Sequence, residues 1–325
     1  MERRAFVTVL VQGVLGPQLS VRAQQTAKRR IGFLSSAKSP GAGLSEPATM
    51  PLRELGWVEG QNLTVERRYA SGKLELLAPM VEELVRLNVE MIVANGTVAS
   101  LAAKRGTTSV PIIIDRSGDP VGAGLVTSLA HPGANITGIS TMSPELEVKR
   151  LELLRELLPS ATRFGVLVNP ANPIDQLTHE NIEQAFRSLQ MSPIFVEVSV
   201  ESALESAIAK VAREGGQGLI VDADPLFARN YELIARAADR HQLPLMIELR
   251  GWLRSGGLVS YGPNQAQLQR ELAIMIDKVL KGAKPADLPV VQPTKFDLAI
   301  SLRSARALGI AVPKSVLLRA DEVIE

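Results

Sequence analysis

Short apolar runs rich in β-branched residues alternate with longer amphipathic segments along most of this chain. The runs occupy residues 31–34, 91–94, 112–114, 164–168, 218–221 and 245–247. Runs that are apolar almost without interruption are typical of strands buried on both faces, as in a parallel sheet covered by helices. The alternation therefore predicts repeated units of one strand and one helix, the α/β class.

The segments between the runs have the spacing of helices with one apolar face. They occupy residues 74–87, 145–158, 182–189, 203–213, 231–240 and 268–280. In residues 145–158 the leucines form a stripe, and glutamate, lysine and arginine fill most of the other positions. Such a helix packs its stripe against a sheet and exposes its remaining surface to solvent.

The series of units restarts about halfway along the chain, which predicts two lobes. Turn-forming and strand-like residues at 131–141 separate the two series, and a second crossover is predicted near residues 258–263. Residues 291–325 contain several prolines and are expected to form a C-terminal segment that contacts both lobes. The predicted boundaries are 24–138 with 263–290 for lobe 1, and 139–262 for lobe 2.

The N-terminus has the pattern of a secretory signal. Arg3 and Arg4 precede a short apolar stretch, and small residues up to Ala23 suit cleavage before Gln24. The stretch is too short to span a bilayer, which needs ~20 apolar residues. We therefore predict that residues 1–23 are a signal peptide and that the protein is periplasmic. The general and twin-arginine export routes both stay open, and a less favoured alternative is an amphipathic helix of a cytoplasmic protein.

The composition excludes several classes of function. Without residues 1–23 the chain keeps 33 of its 36 basic and 33 of its 34 acidic residues, so no net charge attracts nucleic acid or anionic lipid. It has no cysteine and three histidines, which rules out disulfides and His-rich metal sites. No complete dinucleotide fingerprint, phosphate-binding loop or nucleophile elbow is present. We expect no catalytic residue, no metal and no cofactor.

Polar, turn-forming loops follow the predicted strands in both halves. They are residues 35–36, 95–97, 115–120, 169–173 and 222–225. In open α/β sheets, ligands bind outside the carboxyl ends of the strands, where loops and helix N-termini offer N–H groups and short polar side chains. Each loop residue alone has a second interpretation as a helix cap, because Asn, Asp, Ser and Thr are the preferred caps. Together, the loops predict a ligand cleft between the lobes.

Ten short segments, spread over nearly the whole chain, resemble a known family. They are residues 30–34, 56–62, 118–121, 132–138, 149–157, 168–173, 260–263, 281–289, 292–296 and 319–324. Together they resemble the ABC transporter substrate-binding family that includes tryptophan- and tyrosine-binding members. The resemblance implies the type I periplasmic-binding-protein fold, in which two Rossmann-like lobes joined by a hinge close over a small molecule.

The resemblance also implies which residues line the cleft. The implied ligand-binding residues are Ser35, Ser36, Asn95, Gly96, Thr97, Asp119, Asn169, Asn172, Asp222 and Asp224. If the ligand is an amino acid, Asp119 or Asp222 suits its ammonium group. Ser36 and Thr97 suit its carboxylate. Arg116 stands where the family commonly has a small or polar residue, so it either faces an acidic ligand group or pairs with a surface carboxylate.

The function implied by the resemblance is that of the extracytoplasmic substrate-binding protein of an ABC importer, capturing an amino acid or a similar small organic solute. The expected partners are this ligand and the membrane subunits of an ABC permease, with no nucleic acid and no membrane-spanning segment. We expect a monomer that is not an enzyme. Two alternatives stay open: a ligand-sensing subunit for a membrane receptor, and a cleft enzyme that uses paired carboxylates such as Asp119 and Asp222.

Overall fold

The computed structural model describes residues 28–37, 46–172, 175–221 and 224–325, so the predicted signal peptide lies outside the described residues. The first of two sheets contains the strands β1 (Arg29–Ser35), β2 (Leu63–Tyr69), β3 (Ile92–Asn95), β4 (Ile112–Ser117) and β5 (Ile136–Ser140). All of its pairs are parallel, in the order β2-β1-β3-β4-β5. A second, separate sheet follows. The two sheets confirm the predicted α/β fold with two lobes.

Both faces of the first sheet are buried, as its apolar runs predict. In β4, Ile113 belongs to the apolar cluster on one face, whereas Ile112 and Ile114 belong to the cluster on the other. The covering helices are α1 (Glu46–Glu54), α2 (Leu77–Arg86), α3 (Gly96–Gly106) and α9 (Gln265–Leu280). Helices α1 and α9 cover the Ile113 face, and α2 and α3 cover the opposite face.

The second lobe has a larger, mixed sheet. Its strands are β6 (Arg163–Val168), β7 (Ser192–Glu197), β8 (Leu219–Val221), β9 (Leu245–Ile247), β10 (Val259–Pro263), β11 (Phe296–Ser301) and β12 (Glu322–Ile324). They lie in the order β12-β11-β10-β9-β8-β6-β7, and β10 and β11 form the antiparallel pair.

Helices cover both faces of this sheet as well. They are α4 (Ser143–Leu157), α5 (Asp175–Ser188), α6 (Leu204–Arg213), α7 (Pro225–Arg229), α8 (Tyr231–Arg240), α10 (Leu302–Ala307) and α11 (Lys314–Leu317). Helices α4 and α5 pack on one face and α6 and α8 on the other. Within the described ranges, none of the helices is long and apolar enough to cross a bilayer.

The chain passes between the lobes three times. The first passage is at residues 141–142, between β5 and α4, and the second is at Asn264, between β10 and α9. The third follows α9 and runs beside β5, where Val291 forms a β-bridge with Ile139, before β11 begins. The C-terminal residues that we expected to contact both lobes thus supply β11 and β12 to the second sheet, and Val291 contacts the first.

Asn264 is bonded to both lobes. Its side-chain Oδ1 accepts from the N–H of Gln267 at 2.9 Å and caps α9, the helix that covers the first sheet. Its Nδ2 donates to the carboxylate of Asp297 in β11, at 2.9 and 3.1 Å. One amide group therefore joins helix α9 to strand β11 of the second sheet.

A fully buried ion pair connects the first passage with the second. Glu147 and Arg150 lie one turn apart on α4, are both excluded from solvent, and are hydrogen-bonded to each other. Arg150 Nε also donates to the carbonyl of Tyr261 in β10 at 2.8 Å. Burial raises the pKa of Glu147 to about 7; Arg150 opposes this rise, whereas the nearby carboxylate of Glu248 adds to it.

Glu147→Gln is expected to change how stability depends on pH. From about pH 4.5 to about 7, the folded protein retains the Glu147 proton that the unfolded chain releases, so this group lowers the free energy of unfolding as pH rises. The variant lacks this effect. Its stability relative to wild type should therefore increase by up to about 3 kcal/mol across that window, measured by urea denaturation at a series of pH values.

Glu145→Gln is the matched control, because Glu145 lies on the same helix and is exposed. Its stability relative to wild type should be nearly constant with pH. A Glu147→Gln variant whose relative stability is equally constant would contradict the raised pKa.

Candidate ligand-binding site

Buried polar side chains form a connected cluster at the carboxyl edge of the first sheet. Ser35 Oγ donates to Asn95 Oδ1 at 3.3 Å, and Asn95 Nδ2 donates to Asp115 Oδ2 at 2.9 Å. Ser35 and Asn95 are the last residues of β1 and β3, Asp115 lies beside Asn95 near the carboxyl end of β4, and each of the three is at most 8% exposed. Parallel strands bring their carboxyl ends to one edge, so three residues distant in the chain become direct neighbours.

The capping interpretation is wrong for Asn95. It precedes α3 in the N-cap position, but its side chain makes no hydrogen bond to the N-terminus of that helix. Its amide instead connects Ser35 with Asp115. Gly96 follows with φ +82°, a left-handed conformation that a residue without Cβ adopts without strain. Thr97 then turns its hydroxyl to the Ser117 hydroxyl at 2.9 Å.

Arg116 connects this cluster to the second passage between the lobes. It has φ +65° at an irregularity in the pairing of β4 with β5. Its Nε lies 3.2 Å from Asp115 Oδ1, and its Nη1 donates to Gln265 Oε1 at 2.9 Å. Gln265 in turn donates to the carbonyl of Pro263 at 3.1 Å. Arg116 thus pairs with a carboxylate of the protein, but this carboxylate is buried and not at the surface as the second interpretation expected, and a contact of Arg116 with an acidic ligand group stays a prediction.

Asp224 is the centre of the corresponding cluster in the second lobe. Its Oδ1 accepts from the N–H of Leu226 at 2.6 Å and caps α7, so the capping interpretation holds here. Asn172 Nδ2 donates to Oδ2 at 3.0 Å, and the Asn169 side chain is also a hydrogen-bond partner. Burial raises the pKa of Asp224, although these hydrogen bonds and the guanidinium of Arg229 oppose the rise.

The remaining predicted residues occupy different positions. Ser36 is buried directly after β1, and its carbonyl accepts from the N–H of Gly72 at 2.8 Å. Asp119 Oδ1 accepts from the N–H groups of Val121 at 3.0 Å and Gly122 at 2.8 Å, so this carboxylate stabilises its own turn. A contact of Asp119 with ligand stays a prediction. Asp222 lies outside the described residues, and its role also stays a prediction.

The second-lobe cluster is linked to the first lobe through Arg229. Arg229 ends the short helix that Asp224 caps, and its guanidinium reaches the first lobe at Gly72. Its Nη atoms lie 3.3 and 3.4 Å from the position that a Cβ on Gly72 would occupy. Since the N–H of Gly72 is bonded to the carbonyl of Ser36, this contact brings the second-lobe cluster up to the carboxyl end of β1.

The structure adds three residues to those singled out for the site: Asp115 and Ser117, which lie in the predicted loop 115–120, and Arg229, which sequence reasoning missed. The neighbouring strands β3 and β4 pair Asn95 with Asp115, so the sheet order would have identified Asp115 as the partner. Ser117 faces Thr97 for the same reason. Arg229 has no such signal, because only the arrangement of the two lobes brings it to Gly72. Among the described residues, no group of three or more His, Asp or Glu side chains is placed to hold a metal ion.

The family model described as ABC transporter substrate binding protein matches residues 46–324. The chain belongs to this family. The match extends over both lobes and all three passages, and it confirms the family assignment made from the ten short segments. A curated relative, the tyrosine-binding protein of Clostridioides difficile (strain R20291), is 23% identical over 95% of this chain and 94% of its own length.

Solved structures of similar proteins share the arrangement of this substrate-binding protein. The ABC domain from Streptococcus pneumonia in complex with L-Trp superposes with a TM-score of 0.85 at 26% identity, covering 92% of this chain and all of that one. A conserved domain protein from Vibrio cholerae o1 biovar eltor gives 0.84 at 25% identity, covering 91% and 99% of the two chains. The superpositions include both lobes, and the fold is that of type I periplasmic binding proteins.

Asn95→Asp tests the cluster in the first lobe. The substitution keeps size and shape but places a second carboxylate against Asp115, 2.9 Å from the present Nδ2 donor. Two buried carboxylates at this distance repel each other unless one is protonated. We expect a loss of about 2–4 kcal/mol of stability at neutral pH that becomes smaller toward acid pH, measured by chemical denaturation.

Gln61→Glu is the control, because Gln61 is an exposed amide side chain on the same lobe. That variant should remain within about 0.5 kcal/mol of wild type, as is usual for surface substitutions. A similar small effect of Asn95→Asp would show that the amide does not connect the three strand ends.

Proposed function

We propose that this protein captures an amino acid between its two lobes and delivers it to the permease of an ABC importer. The observation that carries the proposal is the pair of buried polar clusters, one in each lobe, around Asn95 and around Asp224, in a chain of the substrate-binding family whose lobes meet at Gly72 and Arg229. The ligand class is supported by the two relatives named for tyrosine and for bound L-Trp.

The mechanism rests on differential binding to two arrangements of the lobes. A ligand that touches both clusters stabilises the arrangement in which the lobes are close, and it does so only by the difference between its affinities for the two arrangements. The clusters suit this role because their side chains are already held by hydrogen bonds to each other. Little conformational entropy is then lost when a ligand binds.

Short polar side chains and carboxylates suit the two charged groups of an amino acid. An ammonium group donates hydrogen bonds to carboxylates, and a carboxylate accepts them from hydroxyls, amides and backbone N–H groups. The first-lobe cluster contains Ser36 and Thr97 for the carboxylate, and Asp119 or Asp222 remains our proposal for the ammonium group. No carboxylate pair needs to perform chemistry in this scheme, and the ligand leaves unchanged.

Binding of an amino acid is expected to raise the melting temperature of the purified mature protein. A ligand at 100 times its dissociation constant adds ~2.7 kcal/mol to the free energy of unfolding, which is a shift of several degrees for a protein of this size. The screen should begin with L-tryptophan and L-tyrosine and extend to the other amino acids and to small organic acids.

Titration calorimetry would then give the affinity, and mass spectrometry of the recovered ligand would test for turnover. An unchanged ligand fits a binding protein, whereas a converted one would favour the cleft enzyme. If no amino acid shifts the melting temperature, the proposed ligand class is wrong.

We also propose that residues 1–23 direct the protein to the periplasm and are removed there. The support is the charged start, short apolar stretch and small residues before Gln24 in the sequence. Mass spectrometry of the periplasmic fraction should show a chain that starts at Gln24 or its cyclised form. Full-length protein retained in the cytoplasm would exclude the importer role, because an importer component must meet its solute outside the membrane.

A further inference from the structure

One glycine of the first lobe is in contact with a charged side chain of the second. Gly72 lies in the turn after β2, and the atoms of Arg229 nearest to its missing Cβ are Nη2 at 3.3 Å, Nη1 at 3.4 Å and Cζ at 3.7 Å. Both terminal nitrogens are closer than the carbon between them, so the guanidinium approaches Gly72 end-on. A side chain at residue 72 would extend into this guanidinium.

The turn that contains Gly72 is fixed to the ligand-binding edge of the first lobe. The N–H of Gly72 donates to Ser36 O at 2.8 Å, and the N–H of Ser71 donates to Ala37 O at 3.1 Å. Lys73 N–H closes the turn on Ala70 O at 2.9 Å. Because of these bonds, the turn cannot move away from Arg229 without displacing the residues that follow β1.

The contact lies far from the passages between the lobes. Strand β2 is the outer edge of the first sheet, and β5, beside which the first and third passages run, is the opposite edge. Four strand spacings of ~4.8 Å place these edges about 19 Å apart. A rotation of the lobes about their passages therefore moves Gly72 and Arg229 farther relative to each other than it moves residues next to β5.

From this geometry we propose that Gly72 and Arg229 form the closing contact at the mouth of the cleft, and that a large side chain at residue 72 would hinder closure. The proposal rests on the proposed function, because it assumes that the lobes open and close around a ligand. Arg229 enters the space that a side chain would fill, so a large residue at position 72 holds the lobes apart while leaving each lobe intact.

Gly56→Leu, in the same lobe, is the matched control for the backbone strain that Gly72→Leu introduces. Gly72 has φ +85°, and Gly56 has φ +91° with no atom within 4 Å of its Cβ position. Leucine at either position is in a left-handed conformation that costs of order 1 kcal/mol or more. Only Gly72→Leu, however, meets a group of the other lobe, so the difference between the two variants isolates the steric effect on closure.

The distance across the mouth is measured directly by spin labels. The chain has no native cysteine, so Glu75→Cys and Arg236→Cys, both at exposed positions on opposite lobes, take one label each. Pulsed electron resonance then gives the distance distribution with and without the amino acids of the screen. Wild type and Gly56→Leu are expected to show the short distance of the present arrangement. Gly72→Leu should lose it and bind the amino acid at least tenfold more weakly.

Arg229→Ala in the Gly72→Leu background provides the decisive rescue. Removing the guanidinium clears the space, so the double variant should regain the short distance. Its affinity for the amino acid should come within about threefold of that of Arg229→Ala alone. This outcome would mean that the effects of the two substitutions are strongly coupled in a double-mutant cycle. The closing contact would be overturned if Gly72→Leu kept the short distance or if the double variant failed to regain it. It would also be overturned if wild type never showed the short distance in any sample. A wild type that shows the short distance but binds no amino acid would contradict only the proposed ligand class.

Discussion

Burial of both faces of the sheets is the constraint on which the remaining structure depends. Strands such as β4 present isoleucine to helices on either side. The polar side chains of the first-lobe cluster lie toward the carboxyl ends of β1, β3 and β4, where the chain turns into a helix or a loop. Buried polar groups there must be hydrogen-bonded, and the Ser35, Asn95 and Asp115 cluster satisfies this requirement within the sheet edge itself.

The same requirement extends the cluster toward the passages between the lobes. Asp115 pairs with Arg116, and Arg116 donates a hydrogen bond to Gln265. Gln265 in turn donates to the carbonyl of Pro263 at the end of β10. The ligand-binding edge and the second passage are thereby parts of one hydrogen-bonded assembly. Such networks are rigid when every member has a partner. The first lobe therefore presents a preformed polar surface at the carboxyl edge of its sheet.

The two-lobed fold could be predicted from the sequence alone. Buried central strands require continuous apolar runs, and such runs are recognisable in the sequence without knowledge of the tertiary structure. Edge strands were harder to predict from the sequence. Strand β2, at the edge of the first sheet, contains Glu66, Arg67 and Arg68 and therefore lacks a continuous apolar run. The site was predictable only as a set of loops. Asn95 and Asp119 are both polar residues after a strand, yet one connects strands and the other caps its own turn. Their difference depends on neighbours in the sheet, and these neighbours are set by tertiary structure.

Asn264 has a consequence for how the two lobes can move. Its side chain holds a helix of one lobe and a strand of the other by bonds of 2.9–3.1 Å, and hydrogen bonds weaken steeply once their geometry is lost. An atom bonded to two rigid bodies stays bonded only if it lies close to the axis about which they turn. If the lobes open and close as proposed, these bonds survive only when the axis of rotation passes close to Asn264, whereas a sliding of one lobe over the other would break them.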